Sequence, residues 1–109
     1  MITINADVIL ANALIDRESV SIRELKVIAG RIYRKTKNLY LDYCMSTITW
    51  AVQDQRSDLF GFGRDGTIIR KKKLGERYVR GMFNWRIPKG MRNAFIRACR
   101  TKNYKKLVS

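Results

Sequence analysis

Residues 59–70 run Leu59–Phe60–Gly61–Phe62–Gly63–Arg64–Asp65–Gly66–Thr67–Ile68–Ile69–Arg70. Asp65–Gly66 is a strong turn dipeptide between two β-prone runs, so the stretch predicts a β-hairpin. Phe60 and Phe62 alternate onto one face. Gly61 and Gly63 take the other, where bare glycines permit close backbone approach or a bulge. The glycines also give a superficial likeness to a Gly-rich phosphate loop. Such a loop needs a following helix and a Lys-Ser/Thr pair, which this stretch lacks, so the hairpin is the reading taken. Lys71–Lys72–Lys73 follows directly.

Upstream of the hairpin the patterning is helical. Residues 1–4 are short and apolar, a strand or a loose start. Asn5 is placed to cap a helix running to about Arg17, with Asp7 in its first turn, where negative charge is favourable. Val8, Ala11, Leu14 and Ile15 share one face, and Ile9 and Leu10 widen it, which predicts a well-buried helix. Ser19–Val20–Ser21 breaks it. Ser21 and Glu24 then have capping-box spacing, and Val20 and Leu25 have staple spacing. They open a helix predicted from Ile22 to about Lys35, with Ile22, Leu25, Ile28, Ala29 and Ile32 inward. Gly30 inside it reads as a site of close helix packing. Arg31, Arg34, Lys35 and Lys37 cluster at its C-terminal end, partly because the helix dipole favours cations there. Asn38 is expected to end it. Asp42 is a plausible cap for a third helix, about Tyr43–Asp54, lined by Cys44, Ile48, Ala51 and Val52. Its β-branched content leaves a strand as the alternative.

Downstream, Gly75 and Gly81 bracket a segment too short to type. Met82, Phe83, Trp85 and Ile87 suggest a strand or an extended connector. Pro88 fits the first turn of a final helix, about Lys89–Thr101, with Met91, Ala94, Phe95, Ala98 and Cys99 inward. Residues 102–109 look like a basic tail.

The chain has 109 residues, 23 Lys or Arg, 9 Asp or Glu and no His, for a net charge of +14. That length fits one domain with a modest core, residues 1–109. The apolar share of 46% excludes a disordered basic tail. Charge is unevenly placed: residues 1–58 are nearly neutral, whereas residues 59–109 hold 15 basic side chains against Asp65 and Glu76. Solubility needs no such split, and a surface aimed at a polyanion would produce it. Nucleic acid is the expected partner, with duplex DNA favoured over RNA. An acidic protein is the alternative, and a membrane is not expected. The N-terminus has no signal-peptide pattern, so an intracellular setting, cytoplasmic or at the nucleoid, is expected.

The absence of His removes imidazole bases and most zinc sites. Cys44 and Cys99 fit no metal spacing and read as buried small hydrophobes. Asp54 and Asp58, with Asp65 and Glu76, give only a weak signal for a Mg²⁺ nuclease site. No cofactor, metal or catalytic residue is expected, and the chain reads as a binding protein, not an enzyme.

Element order is the more useful constellation. Three helical segments precede a glycine-bearing hairpin and a C-terminal helix. That order is α+β and resembles a winged helix-turn-helix, with residues 22–35 as supporting helix, 43–54 as recognition helix and 64–67 as wing tip. In this reading Ser46, Thr47, Thr49, Gln53 and Arg56 face the major groove. Arg64, Arg70, Lys71, Lys72 and Lys73 contact phosphates or the minor groove. Arg77, Arg80, Arg86, Lys89, Arg92, Arg97 and Arg100 extend the basic surface. The implied role is transcriptional regulation or genome maintenance. Two features sit badly with it: the connection 36–42 is long for the motif, and residues 43–53 hold no Lys or Arg. The rival reading is a single-strand or RNA platform, with Phe60, Phe62, Tyr78, Phe83 and Trp85 stacking beside Arg77, Arg80 and Arg86. A third is an inhibitor or assembly factor docking on an acidic protein.

Overall fold

The computed structural model describes residues 2–36, 39–41, 45–83 and 87–100. In chain order the elements are β1 (Ile2–Ile4), α1 (Ala6–Ala13), β2 (Ser19–Ser21), α2 (Ile22–Thr36), β3 (Leu39–Leu41) and α3 (Met45–Trp50). A wider π-type turn over Ala51–Gln55 continues α3. Then come β4 (Phe60–Phe62), β5 (Thr67–Arg70), α4 (Glu76–Gly81) and α5 (Lys89–Cys99). They form one small α+β domain.

The hairpin is present as expected, and its register explains its composition. β4 and β5 pair antiparallel, with Phe60 opposite Arg70, Gly61 opposite Ile69 and Phe62 opposite Ile68. Asp65 and Gly66 turn the chain with φ of 58° and 70°, values that Asp tolerates and Gly adopts freely. The Thr67 hydroxyl donates to the Arg64 carbonyl at 2.7 Å and braces the turn.

The hairpin is not alone. Ser19–Ser21, expected only as a break, forms the strand β2 and pairs antiparallel with β5: Ser19 opposite Ile69, Val20 opposite Ile68 and Ser21 opposite Thr67. The sheet order is therefore β2–β5–β4. Val20, Ile68 and Phe60 form its buried inner face. Ser21 serves twice, since its hydroxyl accepts the Glu24 backbone N–H at 3.1 Å and so caps α2. The Glu24 carboxylate takes Arg17 at 2.7 Å.

The first helix is shorter than its pattern. α1 stops at Ala13, and cations take the carbonyls at its end. Arg17 Nε donates to the Ala13 carbonyl at 3.0 Å, and Arg70 Nη1 donates to those of Leu14 and Ile15. Orphan carbonyls at a helix C-terminus are satisfied in this way. Asn5 occupies the N-cap position but makes no side-chain cap bond. All eight α1 residues are buried.

α2 lays Leu25, Ile28, Ala29 and Ile32 into the core and packs against α5, which contributes Phe95, Ile96, Ala98 and Cys99. Gly30 does not mediate close packing: a Cβ there would meet only the Arg34 guanidinium, at 4.0 Å. The third segment is helical, not a strand, because Ile48, Ala51 and Val52 are buried on one side. The connection before it holds β3, which pairs parallel with β1 from Ile2–Leu39 to Ile4–Leu41; that pairing accounts for its length. The untyped segment after the hairpin is α4, which buries Val79. Phe83 meets Phe95 edge-on, ring centroids 5.3 Å apart, a geometry worth about 1 kcal/mol beyond area burial. Pro88 sits at the N-cap of α5. Asn38, Asp42, Tyr43, Cys44, Trp85, Arg86 and the basic tail lie outside the described residues.

Candidate nucleic-acid interface

Strand alternation divides the sheet into two faces. The inner face is core at Val20, Ile68 and Phe60, and Phe62, on the same side, is exposed at the edge. The outer face carries Ser19, Ile69 and Gly61 in one cross-strand row and Ser21, Thr67 and Gly63 in the next. Five of these six positions are small or short. Only Ile69 rises from the surface, and it is partly exposed. A groove of about 550 Å³ lies over this face, running from Glu18 and Ser19 past Ile69 to Arg64 and Lys71–Lys73.

The glycines hold that surface flat. A Cβ on Gly61 would lie 3.1 Å from Lys71 Cε, so the Lys71 stem passes across the bare glycine. A Cβ on Gly63 would lie 2.6 Å from the Thr67 hydroxyl and 2.9 Å from Ile69, which real contacts do not allow. The Lys71 N–H donates to the Leu59 carbonyl at 2.7 Å, which carries the ladder one residue past β5 and fixes where that side chain departs.

The expected phosphate-contacting residues separate into two groups. Arg64, Lys71, Lys72, Lys73, Arg77, Lys89 and Arg97 are exposed. Arg70 also lines the groove, but its guanidinium donates to the carbonyls at the end of α1. Arg80 and Arg100 both bind Glu76, at 2.9 and 2.7 Å, and Arg100 also donates to Asn12. Those bonds hold the Glu76 carboxyl below the usual carboxylate range. Arg92 donates to the Ile87 carbonyl at 2.8 Å and stands over the Phe83 ring. Arg86 lies outside the described residues. The structure thus brings Arg64 and Lys71–Lys73 together at the groove and gives Arg70, Arg80, Arg92 and Arg100 bonds inside the protein.

The expected base-reading set is also divided. On α3 and its continuation, Ser46 and Gln53 are exposed and Thr47 and Thr49 half-buried. Arg56 points elsewhere. It makes a paired contact with Asp58, through Nε at 3.1 Å and Nη2 at 3.0 Å, and donates to the Tyr78 hydroxyl. The hydrogen bonds from Arg56 lower the Asp58 carboxyl from its ordinary value. The sequence reading did not select Trp50, which is 51% exposed on α3. Ser19 and Ile69 also lie outside the expected set, and Thr67 enters it only as the end of the wing tip. The alternation of Thr67, Ile69 and Lys71 away from Phe60 could have revealed Thr67 and Ile69; nothing local marks Ser19. Phe60 and Phe83, considered as stacking surfaces, are core residues.

Cys99 is buried, and burial raises its thiol far above the range where it would react. Among the described residues no three His, Cys, Asp or Glu converge on a metal-sized site. No helix among them is long and apolar enough to cross a membrane. No protein-family model, curated protein or solved structure matches this chain.

Proposed function

We propose that this protein is a non-enzymatic duplex-DNA-binding module of the winged helix-turn-helix type, acting in transcriptional regulation or genome maintenance inside the cell. The observation that carries the reading is the concentration of Arg64, Lys71, Lys72 and Lys73 along one groove, where Glu18 is the sole acidic lining residue. Phosphate neutralisation by such a set supplies sequence-independent affinity. The fold supports the same reading. A helix, a short strand, two further helices and a hairpin follow one another, and the short strand joins the hairpin in one antiparallel sheet. In a winged helix the hairpin lies against the DNA backbone beside the reading helix. Here α3 and its continuation would be that helix, turning Thr49, Trp50 and Gln53 toward base edges. The strand β3 between α2 and α3 departs from the usual tight turn.

The test is binding of short duplex DNA, duplex RNA and single-stranded oligonucleotides over a range of salt. A phosphate-driven complex weakens steeply as salt rises. Joint replacement of Lys71, Lys72 and Lys73 by Ala weakens binding across all sequences. Flat salt dependence, or no binding of duplex DNA, would sink the proposal. Tighter binding of single strands or RNA would replace it with the platform reading.

A further inference from the structure

We infer that the outer face of the β2–β5–β4 sheet is a track for the sugar–phosphate backbone of duplex DNA, with Lys71 as its central contact and Gly61 keeping the track low beside it. This rests on the reading above and goes beyond it, because it places the principal grip on the sheet and not on α3.

Shape comes first. A nucleic-acid backbone is bulky and needs a shallow surface it can lie along. Two cross-strand rows offer one, with Ser19 and Gly61 flanking Ile69 and with Ser21 and Gly63 flanking Thr67. Larger side chains at these positions would hold a backbone away from the lysines.

Charge comes second. Arg64 and Lys71–Lys73 line the groove together, with the Lys71 stem laid across Gly61. By contrast α3 and its continuation, from Met45 to Gln55, hold no Lys or Arg and expose Asp54. A helix in the major groove is flanked by phosphates on both sides, so an acidic, cation-free helix gains little there from the backbone. Of these two elements, only the sheet side, at Arg64 and Lys71–Lys73, supplies cations for backbone contact.

The groove also discriminates between polyanions. Protein interfaces are anchored by aromatic or Arg side chains seated in desolvated pockets. This face has a single modest apolar residue, Ile69, and its cations point into solvent. Such a surface suits repeated phosphates better than a folded acidic protein.

The experiment measures anisotropy of a labelled mixed-sequence DNA duplex with wild-type protein, Lys71→Gln, Gly61→Ala and Trp50→Ala, each over a salt series. Lys71→Gln should weaken binding on the order of tenfold near ~0.1 M salt and reduce the slope of log K against log salt by about one, the value of one lost phosphate contact. Gly61→Ala keeps every charge but raises a methyl group in the track and shifts the Lys71 stem by a few tenths of an ångström, so it should weaken binding while keeping the slope. Trp50→Ala removes no charge and tests α3 alone, so it should lower affinity while the slope keeps its wild-type value. Thermal unfolding shows whether Gly61→Ala is fully folded; if it is not, the exposed Lys71→Gln decides the matter. Wild-type slope and affinity in both sheet variants, with loss on Trp50→Ala, would overturn the track while leaving DNA binding intact. Competition by poly-L-glutamate as effective as competition by unlabelled duplex would also overturn it. Failure of wild-type protein to bind duplex DNA would instead remove the reading on which the track rests.

Discussion

Arg100 donates a hydrogen bond from Nη2 to Asn12 Oδ1 at 3.1 Å, joining residues 88 positions apart in the chain. Asn12 is fully buried in α1, and its amide donates to the Val8 carbonyl at 2.9 Å. One arginine of the cationic C-terminal half therefore satisfies a polar group at the centre of the neutral N-terminal half. Arg100→Ala strands the Asn12 oxygen away from water, which costs about 1–3 kcal/mol. Urea denaturation should show the midpoint falling with the m-value unchanged.

Arg70 and Lys72 are two positions apart and should behave differently. Arg70 closes the last carbonyls of α1, so Arg70→Ala should destabilise the fold by about 1–2 kcal/mol. Lys72→Ala removes an exposed cation and should change stability by less than about 0.5 kcal/mol. Thermal unfolding of the two variants side by side checks this. Equal stability would show that the α1 terminus does not depend on Arg70.

The hairpin turn requires left-handed backbone at two successive residues. Nothing lies within 4 Å of a Cβ placed on Gly66, so any cost of Gly66→Ala comes from the backbone, about 1 kcal/mol. Asp65→Asn should be nearly neutral, because Asn tolerates this region, and Asp65→Val should be worse than either. Chemical denaturation ranks the three.

Asp7 is buried in the first turn of α1. Burial raises its carboxyl above the ordinary value, although the Val8 N–H and the charge of Arg56 oppose the shift. The native state therefore holds this proton more tightly than the unfolded state. As pH rises from the unfolded carboxylate range through the native pKa, the unfolded chain releases its proton first and stability falls. Above that window the loss is complete. Asp7→Asn, which keeps an acceptor for the Val8 N–H, should stabilise the protein at pH 7 and have little effect near pH 3. A gain of equal size at both pH values would remove ionisation as the cause.

The parts legible in the sequence were those decided locally. Asp65–Gly66 specifies its own turn. Ser21 and Glu24 announce the start of α2, and the apolar spacing of Leu25, Ile28 and Ile32 needs no distant partner to be read. The strand β2 was not legible, because one apolar residue between two serines becomes a strand only through pairing with Thr67–Ile69. β1 and β3 likewise exist as a non-local pair. α4 has only six residues, too few to show a period. For the candidate site, the sequence located the cations but not their bonds. Arg64 and Arg70 look alike in a list of charges. One stands at the groove, and the other holds the end of a helix.

A hairpin joined to its domain only by its two strand ends can swing toward a ligand. This one cannot. β5 is bonded along both edges, its Arg70 N–H continues to the Glu18 carbonyl at 3.0 Å, and its inner face is sealed by Phe60 and Ile68. Any partner that settles on Lys71 meets a lysine whose backbone is already in place. Little ordering entropy remains to be lost on the protein's side. Adjustment falls to the partner, so among duplexes of the same charge the more easily bent sequence should be favoured.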